Sequence, residues 1–300
     1  MADADELYLV DSDVPVLDGA VLLYHLDGYV DAGSAGELLT EHLTEAFDGP
    51  VVARFDVDRL IDYRSRRPVM TWDGDSWADY NAPQLTVRLL HDADETPMLL
   101  LSGPEPDREW EAFAEAVRRL VERWRVRPSV QFQGIPMAVP HTRTLGVTAH
   151  GTRTDLVRQF SPTFNRTQVP GSAEALVEYR LGQAGHDAVG FAAHVPHYLS
   201  QSRYPQAALT LVDAVQKVSG LTLPDDALRE SARRAEVEIN RQVSDSDEAA
   251  DVVRSLEQQY DAFTSSENNL LVGGEEMPTG DDLADEFERF LAGETGPDQD

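Results

Sequence analysis

The amino-acid sequence predicts an α/β fold that ends in a helical hairpin, and two observations carry this prediction. First, an apolar strand at 21–26 is followed by a helix at 37–47, whose leucines recur at helical spacing, and by a second strand at 51–55. Such a βαβ unit usually forms a right-handed crossover between parallel strands. Second, the chain after Pro224 has the pattern of two consecutive amphipathic helices.

Between these two regions, strand and helix patterns keep alternating. Strands are predicted at 85–90, 98–101, 130–132, 145–149 and 188–195, and helices at 107–124, 173–181 and 204–218. Two prolines and a glycine at 134–142 exclude a regular helix there. The polar segment 153–170 is predicted to be a long connection or a lid.

The C-terminal hairpin is predicted from apolar residues at helical spacing on either side of a short polar joint. The first helix carries Leu228, Ala232, Ala235, Ile239 and Val243, and the second carries Val253, Leu256, Tyr260 and Phe263. An amphipathic hairpin must lay its apolar stripe on the sheet domain or on another subunit. We therefore expect Leu256, Tyr260 and Phe263 to form an interaction surface.

The chain is expected to divide into a sheet domain at 1–222, the helical hairpin at 223–266, and an acidic tail at 267–300. The tail has eleven acidic residues and a single basic one, so we expect most of it to be disordered. Four of its apolar residues have helical spacing, namely Leu283, Phe287, Phe290 and Leu291. Two interpretations stay open: a tail that only adds solubility, or a short helix that forms on a partner.

Composition excludes several classes of function. The formal net charge of −29 and the pI of about 4.4 oppose binding to nucleic acid or to an anionic membrane. The chain has no cysteine, so disulfides, thiolate metal sites and a cysteine nucleophile are excluded. No apolar run approaches the roughly 20 residues of a membrane helix, and the start lacks the regions of a signal peptide. We expect a cytoplasmic protein.

Common catalytic and cofactor motifs are also missing. The sequence contains no serine-hydrolase elbow, no phosphate-cradling ATPase loop and no dinucleotide-binding glycine motif. The turn at 28–33, which precedes a helix, offers a weak match to an anion-binding helix start, but a plain strand-to-helix turn explains it as well. The sequence therefore predicts no cofactor, and it assigns no catalytic residue.

An arginine-rich loop at 56–72 interrupts the acidic background, with Arg64, Arg66 and Arg67 inside four residues. Guanidinium groups favour carboxylates and phosphates. In one interpretation these arginines pair with aspartates of the same loop. In the other, Asp62, Arg64 and Arg67 belong to an anion-binding or partner-binding site, because the loop follows a strand end, where ligands of α/β sheets usually bind.

Two histidine segments are the other candidate site. His194 and His197 have the spacing of a metal-binding pair, but Pro196 lies between them and the preceding residues have strand character. We therefore expect these histidines to line a pocket and predict no metal site. His141 follows another predicted strand, and we consider His141 or His194 for proton transfer in the same crevice.

Several stretches, taken together and in order, resemble the proteasome assembly chaperone two family in its longer actinobacterial form. They are 62–68, 134–136 with 140–142, 190–191 with 194–199, and 204–205, within a resemblance that runs from about residue 20 to 265. The resemblance implies a phosphorylase/hydrolase-like, three-layer α/β/α fold. It also implies protein partners related to the proteasome and a homo-oligomer, for which we favour a trimer. Archaeal relatives use a C-terminal tyrosine-containing tail, whose pattern is missing from 296–300.

Two hypotheses about function follow. The first is a non-catalytic protein-interaction or assembly factor. The alternative is a phosphorylase- or hydrolase-like enzyme that holds a small anionic substrate with Arg64 or Arg67 and transfers a proton through His141 or His194. The alternative requires these side chains to converge on one pocket.

Overall fold

The computed structural model describes residues 4–11, 14, 17–160 and 166–270, and its central feature is a mixed sheet of eight strands. The order across this sheet is β1–β3–β6–β7–β2–β8–β10–β9, and β4 and β5 form a separate two-stranded hairpin. The strands are β1 (Tyr8–Val10), β2 (Val21–Asp27), β3 (Val51–Phe55), β4 (Met70–Asp73), β5 (Ser76–Tyr80), β6 (Thr86–His91), β7 (Pro97–Pro104), β8 (Ser129–Met137), β9 (Val147–Gly151) and β10 (Ala188–Pro196).

Helices cover both faces of this sheet. They are α1 (Ala35–Ala46), α2 (Val57–Leu60), α3 (Trp110–Arg123), α4 (Thr154–Val157), α5 (Ala173–Gln183), α6 (Pro205–Ser219), α7 (Asp226–Ser244) and α8 (Asp247–Leu270). Three short 3₁₀ turns lie at Ala4–Glu6, Ala32–Ser34 and His197–Leu199. The predicted strands and long helices are present, with ends that differ by a few residues.

The alternation of side chains along β2 separates two hydrophobic cores. Leu22 and Tyr24 join the core that contains Phe113 of α3. Leu23 joins the opposite core, which contains Leu211 of α6 and side chains of α1. Successive residues of a strand point to opposite faces, and each fully buried side chain of this size contributes about 1.5–3 kcal/mol. The predicted three-layer α/β/α fold is confirmed.

The first strand–helix–strand unit is wider than the simplest crossover. Strand β7 runs parallel to β2, whereas β6 is antiparallel to both β7 and β3, so β3 runs in the same direction as β2. However, the β6–β7 hairpin lies between them, so the chain passes over two strand positions through α1.

Strand β8 continues through Pro136, well beyond the predicted end at residue 132. Its pairing with β10 is parallel and continuous up to Met137, opposite Pro196. Its pairing with β2 ends much earlier, at Gln131. Pro136 has no N–H group to donate, and it is tolerated because this part of β8 has a neighbour on one side alone.

The helical hairpin predicted at the C-terminal end is formed by α7 and α8. Helix α7 packs on α6, and its Leu228 and Ala232 join the core on that face of the sheet. Helix α8 contacts the loop after β8, where Arg143 forms ion pairs with Glu257 at 3.0 Å and Asp261 at 2.7 Å. The stripe of α7 is thus covered by the same chain.

Two sequence-based predictions fall partly outside the described residues. The acidic tail lies there from residue 271 onward, while α8 itself continues to Leu270. In the predicted connection at 153–170, α4 is present, and residues 161–165 lie outside the description. The domain boundaries stay a prediction. Among the described helices, none combines the length and the hydropathy needed to cross a bilayer.

Candidate functional site

The carboxyl ends of β2 and β8 separate at the centre of the sheet. These strands pair over Leu22–Tyr24 and Ser129–Gln131 alone, whereas β2 stays paired with β7, and β8 with β10, to their ends. The gap between Leu26 and Gly134 is called the central crevice here. Chain connections run outward in opposite directions on its two sides, and open α/β sheets usually bind ligands at such a switch point.

Two carboxylates of the protein itself fill the central crevice. Oε1 of Glu174 accepts the backbone N–H of Leu26, and its Oε2 accepts a hydrogen bond from the side-chain amide of Gln131 at 3.1 Å. Oδ1 of Asp31 accepts the backbone N–H of Gly134 at 2.8 Å. These carboxylates satisfy amides on the two separating strands, which would otherwise need other hydrogen-bond partners.

The N-terminal ends of α1 and α5 position the carboxylates of Asp31 and Glu174 at the central crevice. The carboxylate of Asp31 also accepts the N–H groups of Gly36 and Glu37, at 2.9 to 3.0 Å, in the first turn of α1. Glu174 lies in the first turn of α5, two residues after the capping residue Ser172. Unpaired N–H groups and the helix dipole both favour negative charge at a helix start. Each acid is therefore stabilised by its own helix while it reaches the crevice.

His25 is the cationic partner of these acids. Its side chain is 2% exposed, and its Nδ1 lies 3.4 Å from Glu174. Its Nε2 lies 3.6 Å from both Asp27 and Asp31, and the ring stacks on Phe132. Burial opposes the charged imidazole, but the surrounding carboxylates outweigh burial and raise the pKa of His25 to about 9. At neutral pH it carries a positive charge that offsets part of the buried negative charge.

Glycines allow the close approach of α1 to the crevice. A Cβ atom on Gly36 would lie 2.5 Å from Nδ1 of His25. A Cβ atom on Gly134 would overlap the backbone carbonyl of Ala32, in the turn that leads into α1. The end of β8 and the start of α1 can touch because both residues lack a side chain.

A family model identifies the chain at this point. The model of the PAC2 family matches residues 25–243, which include both sides of the central crevice and α7. The chain belongs to the PAC2 family. The resemblance inferred from the sequence is therefore confirmed. The comparison with curated proteins gives no significant match.

Three solved structures are similar to this PAC2 chain. The Mycobacterium tuberculosis protein of unknown function Rv2714 has 45% identity and a TM-score of 0.85, over 90% of this chain and 93% of that one. A Corynebacterium glutamicum protein of unknown function has 39% identity and a TM-score of 0.82, over 86% and 98%. The M. tuberculosis proteasome-assembly chaperone homologue Rv2125 has 25% identity and a TM-score of 0.72, over 78% and 99%.

The arginine-rich loop of this PAC2 chain combines the two interpretations of its sequence. Arg66 pairs with Asp107 at 2.7 Å and donates to the backbone carbonyl of Asp27 at 3.2 Å. Arg64 and Arg67 are exposed, and no carboxylate among the described residues lies within ion-pair distance of either. Arg66 thus has a structural role, whereas Arg64 and Arg67 are available to bind a ligand or a partner.

Asp62 stabilises the loop backbone and has no bond to Arg67. Its Oδ1 accepts the N–H of Arg64 at 3.0 Å, and its Oδ2 pairs with Arg108 at 3.3 Å. These contacts, led by the N–H of Arg64, lower the pKa of Asp62. The local pairing expected for the loop is present, but its partners differ from those that the sequence suggested.

The three predicted histidines lie near the β8–β9 loop. Nδ1 of His141 is 2.7 Å from the hydroxyl of Tyr198, and its Nε2 is 3.2 Å from Asn240 of α7. His197 begins a 3₁₀ turn and packs its ring edge-on against Tyr198. The histidine at position 141 therefore ties the loop to the helical hairpin.

His194 is a buried, neutral residue of β10. Its Nε2 lies 2.8 Å from the hydroxyl of Thr148, and burial lowers its pKa to about 4. In the described part of the chain, no three histidine, aspartate or glutamate side chains are arranged to hold a metal ion together.

Among the described residues, no hydrogen bond or ion pair joins the arginine candidates to the histidine candidates. Arg64 and Arg67 follow β3, and His141 follows β8, which lies four strand positions away in the sheet. At about 4.8 Å per strand, this separation is about 19 Å. The residues that do converge on the sheet centre are His25, Asp31 and Glu174.

The predicted interaction residues of α8 have unequal exposure. Leu256 is 7% exposed, and the hydroxyl of Tyr260 donates to the backbone carbonyl of Thr144 at 2.9 Å. Phe263 is 53% exposed, and Val252, eleven residues earlier on the same helical face, is also exposed. The available apolar face of α8 is therefore formed by Val252 and Phe263.

We expect Gly134→Ala to destabilise the protein, since its methyl group would overlap the carbonyl of Ala32. Forcing a methyl group into a tightly packed site costs about 1–3 kcal/mol in the free energy of unfolding. Urea denaturation measures the loss. Gly171→Ala is the matched control, because nothing lies within 4 Å of a Cβ atom there. Equal stability of both variants would contradict the close approach of α1 and β8.

We expect stability to fall at alkaline pH because of His25. Its pKa of about 9 in the folded protein exceeds the ordinary value of 6.5. The charge of His25 therefore contributes its full stabilisation below about pH 6.5, and this contribution is lost as pH rises through about 9. The largest possible loss in the free energy of unfolding is about 3 kcal/mol. Urea denaturation at pH 6 and pH 9.5 should give a smaller difference for His25→Gln than for the wild type. The exposed His91→Gln should keep the wild-type difference.

Proposed function

We propose that this chain is a non-catalytic protein-interaction or assembly factor whose partners are related to the proteasome. Membership of the PAC2 family and the similarity to the M. tuberculosis proteasome-assembly chaperone homologue support this proposal. We further propose that it forms a homo-oligomer, with a trimer favoured. The absence of cysteine is compatible with a reducing, cytoplasmic compartment.

The observation that carries the proposal is the internal occupation of the central crevice. A ligand that entered it would displace the carboxylates of Asp31 and Glu174 from the N–H groups of Gly134 and Leu26. Leaving a buried amide without a partner costs about 1–3 kcal/mol, and the displaced acid would also leave His25 without its charge partner. The position that α/β enzymes commonly use for substrates therefore serves here as a structural joint.

The alternative, a phosphorylase- or hydrolase-like enzyme acting on a small anion, has less support. It requires Arg64 or Arg67 to share a pocket with His141 or His194. The arginines follow β3, whereas His141 follows β8 and His194 lies on β10, which are four and five strand positions from β3. His194 also has a pKa of about 4, which makes it a weak base at neutral pH.

The exposed face of α8 is the interaction surface that fits the proposal. Val252 and Phe263 present apolar surface there, on a helix that is otherwise held by ion pairs and by the bond from Tyr260. Aromatic anchors on a rigid element are favourable centres of protein interfaces. The buried Leu256 contributes to the stability of the helical hairpin.

We expect Val252→Asp combined with Phe263→Asp to reduce self-association and the capture of proteasome subunits from the same organism. Each buried anchor contributes about 2 kcal/mol or more to an interface, so affinity should fall at least tenfold. Light scattering measures the mass, and co-purification measures capture.

Val169→Asp is the control, because Val169 is also apolar and is 74% exposed, but it precedes α5 and is not part of α8. Circular dichroism should be the same for all three proteins. If mass and capture are both unchanged in the double variant, the assignment of this face is wrong.

A further inference from the structure

The hairpin formed by β4 and β5 presents a wholly exposed apolar surface. Residues 69–80 form what we call the Trp arm, in which every described side chain is exposed and neither strand joins the main sheet. Trp72 is 55% exposed and Trp77 is 62% exposed, and their rings meet edge to face at 5.1 Å. Val69, Met70 and Tyr80 add further exposed apolar area.

The Trp arm needs a cover to be a stable element. An isolated two-stranded hairpin is marginally stable in water. Each tryptophan can bury about 150–250 Å² when it is packed, at about 25 cal/mol per Å². A segment that covered Trp72 and Trp77 would therefore gain much of the free energy that this hairpin lacks.

The positive charge at the base of the Trp arm indicates the charge that a covering segment must have. Arg64 and Arg67 lie just before the arm and have no carboxylate partner among the described residues. The arm itself carries the exposed Asp73, Asp75 and Asp79. The two guanidinium groups at its base therefore favour an occupant that is apolar along the arm and acidic at the base.

One segment of this chain beyond the described residues has that composition. In 281–291, Leu283, Phe287, Phe290 and Leu291 follow the spacing i, i+4, i+7 and i+8, which predicts a single helical face. Five acidic residues and one basic residue accompany them. We propose that segment 281–291 packs its apolar face on the Trp arm of the same chain, with its acids against Arg64 and Arg67.

The length of the intervening chain permits this contact. Helix α8 lies at the carboxyl edge of the sheet, where Tyr260 bonds to Thr144, and β3 ends at the same edge about 19 Å away. The last ten residues of α8 span about 15 Å. Residues 271–280 span at most about 36 Å, which exceeds the about 19 Å between the ends of β8 and β3 at this edge of the sheet.

Tryptophan fluorescence tests the proposal. Trp124 is buried and Trp110 is half-buried, so acrylamide quenching reports mainly on Trp72 and Trp77. We expect Phe287→Ser combined with Phe290→Ser to raise the quenching constant roughly twofold, because half of the four tryptophans lose their cover. Val272→Ser combined with Met277→Ser, in the same tail but outside the repeat, should leave quenching unchanged.

Charge reversal tests the electrostatic part. Arg64→Glu combined with Arg67→Glu should raise quenching as well, and the addition of Asp285→Arg and Glu286→Arg should restore protection. Unchanged quenching in the Phe287 and Phe290 variant would overturn the proposal. Protection that appears solely at concentrations where light scattering detects oligomers would also overturn it, because the cover would then come from another copy.

Discussion

Two carboxylates hold the sheet together where its central strands separate, and the rest of the carboxyl edge depends on them. Asp31 and Glu174 accept backbone N–H groups of β8 and β2, respectively, so one amide on each side of the gap is satisfied by a carboxylate. Burying two acids is costly, and the protein offsets this cost with helix starts and with the imidazolium of His25. The glycines at 36 and 134 follow from the same geometry, because a carboxylate at the start of α1 reaches β8 only if the backbones nearly touch.

This arrangement supports the proposal that a fold that often supports catalysis serves in protein interaction here. The switch point of the sheet is the position where substrates of α/β enzymes gain backbone contacts. In this protein Glu174 and Asp31 accept the amides of Leu26 and Gly134 at this position, which is why the recognition surfaces that we propose lie outside the sheet. The proposed surfaces are the exposed side chains of α8 and the Trp arm, and each includes at least one exposed aromatic side chain. The proposed function depends on rigid placement of surface elements, to which the bonded carboxylates of the crevice contribute.

Much of the fold follows from the sequence, and much of the site does not. Apolar periodicity predicts β2, α1, β3, α3 and the α7–α8 hairpin, because each pattern is local. It does not predict that β6 and β7 lie between β2 and β3, since strand order is set by long-range pairing. Asp31 and Glu174 look like ordinary helix-start residues, and the amides that they bind are 103 and 148 residues away. The one local signal was a histidine inside an apolar strand, at position 25. The apolar pattern of α8 likewise predicted the same interaction role for Leu256 and Phe263. Periodicity identifies an apolar stripe, but it does not show which surface covers each residue.

The arginine-rich loop shows how one segment can be both structural and available. Arg66 extends from the loop to Asp107 and to the carbonyl of Asp27, at the end of β2 next to the crevice. Arg66 is half-buried, and both terminal nitrogens of its guanidinium group are bonded. It therefore fixes the base of the Trp arm relative to the centre of the sheet. Arg64 and Arg67, one or two positions away, are exposed to solvent. In a protein with a net charge of −29, two arginines that have no carboxylate partner among the described residues, a few positions before two exposed tryptophans, are a marked local exception. A rigid base with a free charged and aromatic surface is what a docking element requires, since little conformational entropy is then lost when it is covered.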